Sequence, residues 1–537
     1  MLAIDNLKLI PKKAADQTLV DYTECLTEWY IDRIPLENRK RMGQYFTHEK
    51  VSELMVNLFE NVGQKEVIKI LDPGAGIGIF ESTFCEYIKS LEKKIKVSFD
   101  LYENDITIIP LLEQNMKICK DDMASEGLEI DYKIFNNDFI LSNAPIFNDQ
   151  ESFDEEKDGY DFVISNPPYY KLNKNSKQVV EMKNIVSGQP NIYTLFMAVS
   201  AKLLKNGGQM TVLTPRSYCS GLYFKTFRKW FLNVVKPQKI HLFESRKEIF
   251  KKYDVLQENV ILTAKKTSQI PKNILISVSE GIPNETLSTK NATYDEIIIE
   301  TNNDIVMRIP TSELDDLIAA KIDKFDNNLE TLGLKVSTGP VVPFRATEFL
   351  LTKLNKRKDF IPLIWMHNID NGMVNWPIQN NDIPIGLKKT KESEKILKPN
   401  KNYVLIKRFS TKEGKQRINA GIYLKDTLKS DFIGIENHVN YIYKKDGELT
   451  IDEAYGIAAL LNSKLYNRYF QITNGSTQVN AFEIRNLPLP SLIKITSIGD
   501  SIQKLNLTDN ISKESIVINA LKIDEKISRE LLLGTAK

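Results

Sequence analysis

Four cysteines and four histidines are all that this chain of 537 residues carries of the side chains that most often staple or metallate a fold. Cys25, Cys85, Cys119 and Cys219 are far apart and form no paired pattern. That usage predicts reduced thiols in a cytoplasm, not a disulfide framework or a zinc site. The histidines are equally scattered, so no metal centre is expected. No run of about 18 apolar residues occurs, which argues against a membrane-spanning helix. Met1 to Lys13 has neither the apolar core nor the cleavage site of a secretory leader. Internal repeats and low-complexity tracts are missing as well.

What is present is a globular composition, 42% hydrophobic and 26% charged. The length exceeds one ordinary core, so two or more domains are expected. The net charge of +2 hides an asymmetry. Residues 321–537 hold 33 Lys and Arg against 24 Asp and Glu, a net of +9, and residues 1–320 hold 39 against 46, a net of −7. A basic half is compatible with a polyanion touching mainly the C-terminal part. Plain solvated charge is the alternative.

The chain is organised around Asn166-Pro167-Pro168-Tyr169. These residues close the apolar run Tyr160 to Ser165, which reads as a buried strand. Proline cannot donate to a sheet ladder, so the strand must end at Ser165. Two prolines then stiffen the loop, and Pro167 holds Asn166 out of the helical region. The Asn166 amide oxygen and the Pro167 carbonyl are thus two acceptors in fixed positions. They can grip both hydrogens of a planar exocyclic NH2 group and favour a pyramidal nitrogen with a free lone pair. Tyr169 offers a flat face for the ring. A structural proline turn is the bland alternative.

The flanking stretches reduce that alternative. Residues 1–35 read as a helical lead-in, with Leu19, Tyr22, Leu26, Trp29 and Tyr30 at helical spacing. Gly43-Gln44-Tyr45-Phe46-Thr47 precedes an amphipathic helix for which Thr47 is a good N-cap. Gln44, Tyr45 and Thr47 would then lie over a ligand at the helix N-terminus. A strand at Val67 to Leu71 leads into Asp72-Pro73-Gly74-Ala75-Gly76-Ile77-Gly78 and a helix, a glycine turn that lets backbone approach a ligand. The next strand ends at Glu103, an acid placed for a ribose diol, with a solvated strand-end acid as the alternative. A third strand ends at Asp138-Phe139, where the acid could accept from an adenine amino group while the ring packs. Lys171 to Gly188 is polar, lysine-rich and expected to be mobile until substrate binds. A helix over Ile192 to Leu204 should end at Asn206-Gly207-Gly208 as its C-cap. Alternating strands and helices from 67 to 264 predict a doubly wound α/β domain with a seven-stranded sheet.

These stretches, in this order, resemble the N6-adenine DNA methyltransferases of restriction–modification systems, in particular the TaqI-like group with a C-terminal target-recognition domain. The resemblance covers residues 40–265 in motif detail. It is looser over 320–490, where Asn474 to Pro490 is also similar to recognition domains of type I specificity subunits. It implies a division into a lead-in (1–35), a methyltransferase domain (36–265), a bridging segment (266–320), an α+β target-recognition domain (321–495) and a C-terminal helical segment (496–537). It implies S-adenosylmethionine as cofactor, bound by Tyr45, Thr47, Asp72, Gly74, Gly76, Glu103, Asp138 and Phe139, and no metal. The catalytic tetrad would be Asn166, Pro167, Pro168 and Tyr169. Phe224, with Tyr223 as the other register, would join Tyr169 in stacking on a flipped-out adenine, and Asn191 and Tyr193 would border the same pocket. The partners implied are double-stranded DNA and a restriction endonuclease acting separately, with the protein itself a cytoplasmic bacterial monomer. Lys407, Arg408 and Arg417 are candidates for DNA contact, with solvated charge as the alternative for each.

Asn-Pro-Pro-Tyr also occurs in enzymes that methylate RNA or a protein glutamine, but those generally lack a large C-terminal recognition domain. A specificity subunit without catalysis would account for the C-terminal half and leave the pocket motifs unexplained. A fused nuclease would need a further domain and an acidic metal cluster.

Overall fold

The computed structural model describes residues 10–148, 152–243, 258–279, 281, 287–300, 304–353, 359–378, 383–409, 416–474, 478–505 and 509–533. The chain divides into two compact units, residues 1–311 and 312–537.

The first unit is built on one sheet. Its strands are β1 (Val67–Asp72), β2 (Lys96–Tyr102), β3 (Ile130–Phe135), β4 (Tyr160–Ser165), β5 (Leu204–Pro215), β6 (Val235–Phe243), β7 (Asn259–Lys266), β8 (Asn273–Ser279) and β9 (Ser288–Thr293). They lie in the order β3-β2-β1-β4-β5-β7-β6-β8-β9. The first five strands are mutually parallel, and β7 runs antiparallel between β5 and β6. The expected seven strands are therefore all in one sheet. Residues 273–293, read from sequence as a bridge, extend that sheet as β8 and β9. Every residue of β4 is buried, as a central parallel strand covered on both faces requires. Helices Ile79–Ser90, Ile109–Ser125, Ile192–Leu203 and Lys225–Val234 contribute Phe84, Met116, Leu195 and Phe231 to one continuous core with the strands.

The strand order reverses between β1 and β4: β2 and β3 lie to one side, β4 and β5 to the other. The carboxyl ends of β1 and β4 therefore open onto a crevice where the sheet itself leaves room for a ligand. The glycine turn leaves β1 and the diproline loop leaves β4.

The lead-in is a helix, Leu19–Ile31, closed by a capping box between Thr18 and Asp21. Its Tyr22, Leu26 and Tyr30 pack against Ile77, Ile108 and Leu111, so this helix is part of the first unit's packing. Residues 1–9 lie outside the described residues.

Two local expectations are corrected. His48, not Thr47, caps the helix Glu49–Asn57, with Nδ1 accepting from the Lys50 amide at 3.2 Å. The glycine pair 207–208 does not end a helix; it lies inside β5, where the register with β4 shifts. A Cβ on Gly208 would come within 2.8 Å of the Tyr160 carbonyl oxygen, so the close approach of β4 demands glycine.

The second unit carries a six-stranded and a five-stranded sheet. The helices Ile451–Asn462, Lys464–Thr473, Leu492–Lys504, Asn510–Leu521 and Glu525–Leu533 follow. The first two of these are separated at Ser463, which caps the second. Arg417 is fully buried, and the Asn467 side-chain oxygen accepts from its main-chain amide. Placed so, it packs the interior and does not reach DNA. The Arg408 guanidinium donates to the Asn437 carbonyl at 2.8 Å. Of the stretch 474–490, residues 475–477 lie outside the described residues, as do 534–537 of the C-terminal segment.

Candidate active site

One cleft in the first unit gathers many of the residues singled out from sequence, though Asp72, Pro167, Tyr169 and Phe224 do not line it. Tyr45 and Thr47, Gly74 and Gly76, Glu103, Asp138 and Phe139, and Asn166 and Pro168 all line it. They arrive from the ends of β1, β2, β3 and β4 and from the chain entering the helix Glu49–Asn57. The cleft joins the glycine turn to Asn166. Phe46, Tyr102, Asn104, Tyr170, Ile192 and Phe196 complete much of its wall.

At the β4 end, the two amide hydrogens of Asn166 have separate acceptors. Nδ2 donates to the Tyr45 carbonyl at 2.8 Å and to the Thr47 hydroxyl at 3.0 Å. The amide oxygen faces the other way and meets the Tyr169 hydroxyl. That hydroxyl also lies 2.9 Å from the Leu213 carbonyl. The Tyr169 ring is buried, stacks on Tyr45 at a centroid distance of 5.7 Å, and meets Tyr193 edge-on at 6.3 Å. Burial pushes the Tyr169 phenol well above its ordinary pKa, so it stays a neutral donor. Gly43, at φ +67°, packs against Tyr170 and the Tyr169 main chain.

At the β2 end, the Glu103 carboxylate accepts from the Gly76 amide at 3.0 Å and the Asp105 amide at 2.8 Å. It thereby ties the glycine turn to the neighbouring strand end. Burial raises its pKa to about 7 against the pull of those amides, and Asp105 adds repulsion. Asp105 is held by the Gln44 amide at 2.5 Å. Beneath the turn, the Asp72 carboxylate accepts from the Gly74 amide at 3.0 Å. Asp72 is fully buried and does not line the cleft itself; burial lifts it to about 8, with Glu103 repelling it. Buried Glu81 is raised well above its ordinary range for the same reason, with Asp72 adding repulsion.

At the β3 end, Asp138 caps the short helix Phe139–Asn143 through the Leu141 amide at 2.8 Å. Phe139 meets Tyr102 edge-on at 5.0 Å and tilts against Phe196 at 5.3 Å. These rings form an apolar, flat-walled corner.

Phe224 does not line the cleft. Its ring stacks on Tyr193 at 6.0 Å, so Tyr193 stands between it and Tyr169. The turn Leu222–Phe224 is anchored by Arg228, whose guanidinium donates to the Tyr218 and Gly221 carbonyls at 2.8 Å and pairs with Asp304. Tyr223 points to solvent and is 72% exposed. The segment 171–188, expected to be mobile, is tied to the site. The Leu172 and Ile192 amides donate to the Pro190 and Tyr170 carbonyls, and the Gln178 amide donates to Asp138. Gln44 lines the cleft as expected, whereas Gly43, Phe46 and Gln178 are site residues that motif reading missed. The first two lie in a stretch quoted for its neighbours, and Gln178 left no local signal.

Comparison with known proteins follows the same lines. Residues 82–250 match the Eco57I restriction-modification methylase family. The chain is 34% identical over 467 residues to the type II methyltransferase M.PstI of Providencia stuartii, spanning 86% of this chain and 90% of that protein. It is 33% identical over 503 residues to the type II methyltransferase M.BsuBI of Bacillus subtilis, spanning 93% and 95%. Among solved structures, the type IIL restriction-modification enzyme MmeI in complex with DNA shares the fold, with a TM-score of 0.56 at 13% identity over 97% of this chain and 79% of that one. The DrdV–DNA complex gives a TM-score of 0.51 at 13% identity, over 91% and 60%.

Proposed function

The chain belongs to the type II methyltransferases of restriction–modification systems, and from that premise we propose that it methylates N6 of an adenine extruded from double-stranded DNA. It is a site-specific DNA methyltransferase. The observation that carries the finer reading is the single cleft joining the Asn166 amide to the glycine turn.

The residues fit S-adenosylmethionine. Two carboxylates, Glu103 and Asp138, face one cleft beside a glycine turn and an aromatic corner. The buried Gln44 Oε1 beside them has no hydrogen-bond partner among the described residues. Glu103 would take the ribose hydroxyls and Asp138 the adenine amino group, with Phe139 against the ring. Gly74 and Gly76 would let the main chain approach, Asp72 would brace that turn from below, and Tyr45 and Thr47 border the cleft from the helix entry. The cofactor supplies a methyl group already activated on a sulfonium, so no covalent enzyme intermediate is required.

The protein's own task is the nucleophile. Adenine N6 is a weak one because its lone pair is conjugated into the ring. The Asn166 amide oxygen and the Pro167 carbonyl would each accept one of its hydrogens, draw the nitrogen towards a pyramidal shape and stabilise the charge that develops there. Pro168 stiffens the loop. Duplex DNA hides N6, so the base must leave the stack. Tyr169 would replace the lost stacking, at about 1–3 kcal/mol per aromatic contact, once Tyr45, which stacks on its ring here, moves aside. Phe224, behind Tyr193, backs that wall. Sequence readout would fall to the second unit, whose net charge of +6, from 33 Lys and Arg against 27 Asp and Glu, suits phosphate contact.

The reading is tested by offering labelled S-adenosylmethionine with duplex DNA, RNA or a glutamine-bearing release factor. Label in duplex DNA alone is expected. Label only in RNA or protein would contradict it.

A further inference from the structure

We propose that Thr47 is a positioning residue for the methyl acceptor: its hydroxyl, with the Tyr45 main-chain carbonyl, locks the Asn166 amide so that oxygen faces the incoming amine. The inference deepens the reading above and rests on Asn166 gripping adenine N6.

A carboxamide is nearly symmetric in shape. Rotating it by half a turn exchanges Oδ1 and Nδ2 with almost no steric change, so only its partners decide which end faces the substrate. The exchange would be ruinous for the proposed reaction, because an NH2 group would then confront an NH2 group. In this structure both Asn166 hydrogens are bound, at 2.8 Å to the Tyr45 carbonyl and 3.0 Å to Thr47 Oγ1, and the amide oxygen is turned the other way, towards the Tyr169 hydroxyl, which helps to fix the same orientation. The Tyr45 carbonyl can only accept, so it repels Oδ1 from that side. The Thr47 hydroxyl completes the pair and is nearly buried, at 7% exposure, where water is a poor replacement.

The local sequence supports this use of Thr47. Threonine caps helices well. Yet the helix that starts at Glu49 is capped by His48. The better capping residue is turned instead towards a loop 119 positions away. The structure thus assigns the Thr47 side chain to the acceptor amide, and its effect on turnover runs through Asn166.

The test compares Thr47→Val, which keeps the shape and removes the acceptor, with Thr47→Ser, which restores it. Each is made in the natural chain and in an Asn166→Ala background. Thr47→Val is expected to lower kcat about 10-fold at saturating S-adenosylmethionine. Thr47→Ser should recover most of kcat, and in the Asn166→Ala background Thr47→Val should cost nothing further. Thr47→Ala, smaller and free of packing conflict, should repeat the valine result if valine disturbs folding. Unchanged kcat in Thr47→Val and Thr47→Ala would overturn the proposal. So would a loss confined to cofactor affinity, or an undiminished further loss in the Asn166→Ala background. If Asn166→Ala alone left turnover intact, the adenine reading itself would fall, an outcome distinct from all of these.

Discussion

The Gln178 side-chain amide donates to Asp138 Oδ2 at 2.8 Å, tying the segment after the diproline loop to the turn after β3. The other oxygen of Asp138 caps the helix Phe139–Asn143. Both oxygens of the carboxylate therefore have protein partners, and the proposed contact to the cofactor's adenine amine would share Oδ2 with Gln178.

Those two duties separate by substitution. Asp138→Ala should lose the cap, at about 1 kcal/mol of stability, and weaken S-adenosylmethionine binding. Asn is as good a cap as Asp, so Asp138→Asn should keep the melting temperature. It should still bind the cofactor about 10-fold more weakly, since an NH2 group would face the adenine amine. Calorimetry and thermal unfolding check both. Unchanged affinity in both variants would remove Asp138 from the cofactor site.

Asn166→Ala removes one of the two proposed acceptors. Turnover should fall by about 100-fold or more, with cofactor affinity unchanged. Single-turnover methylation beside calorimetry makes the comparison, and near-normal turnover would contradict the role.

Glu103 predicts a pH dependence. Burial lifts its pKa to about 7, whereas a ribose diol calls for the ionised carboxylate. Cofactor affinity should therefore fall about 10-fold per pH unit below about 7 and level off above it. The stability term has the opposite sense. A folded pKa above the unfolded value favours the protonated fold, so this group's contribution is full below the unfolded pKa and declines as pH rises through about 7. Glu103→Gln should flatten the affinity profile while binding weakly throughout.

Gly43 should not tolerate a side chain. At φ +67° a Cβ would meet Tyr170 Cδ1 at 3.0 Å and the Tyr169 nitrogen at 3.2 Å. Gly43→Ala should cost about 1–2 kcal/mol and lower turnover by shifting the diproline loop, read by thermal unfolding and by kcat.

Much of the α/β unit was legible because parallel strands covered on both faces read as unbroken apolar runs. Tyr160 to Ser165 is one, and the prolines after it mark its end. Where the strands end, Glu103 and Asp138 follow at once, so their arrival in one cleft needed only the topology. The contacts between distant positions left no such trace. Gln178 lies 40 residues from Asp138 and Thr47 119 from Asn166, and neither pair belongs to a periodic pattern. The strands at 273–293 lie at the sheet edge, with polar residues through β9, so they read as a linker. The glycine pair at 207–208 suggested a helix end because the backbone of β4 that crowds it comes from elsewhere in the chain. Phe224 was placed by the family resemblance, which could not foresee Tyr193 intervening.

The most direct measurement is the identity of the modified nucleoside. Duplex DNA methylated by the purified chain with labelled S-adenosylmethionine would be digested and its nucleosides separated. Label is expected in N6-methyl-2′-deoxyadenosine alone, lowered about 100-fold or more by Asn166→Ala. Label in a cytosine derivative, or N6-methyl-2′-deoxyadenosine undiminished in that variant, would contradict this reading.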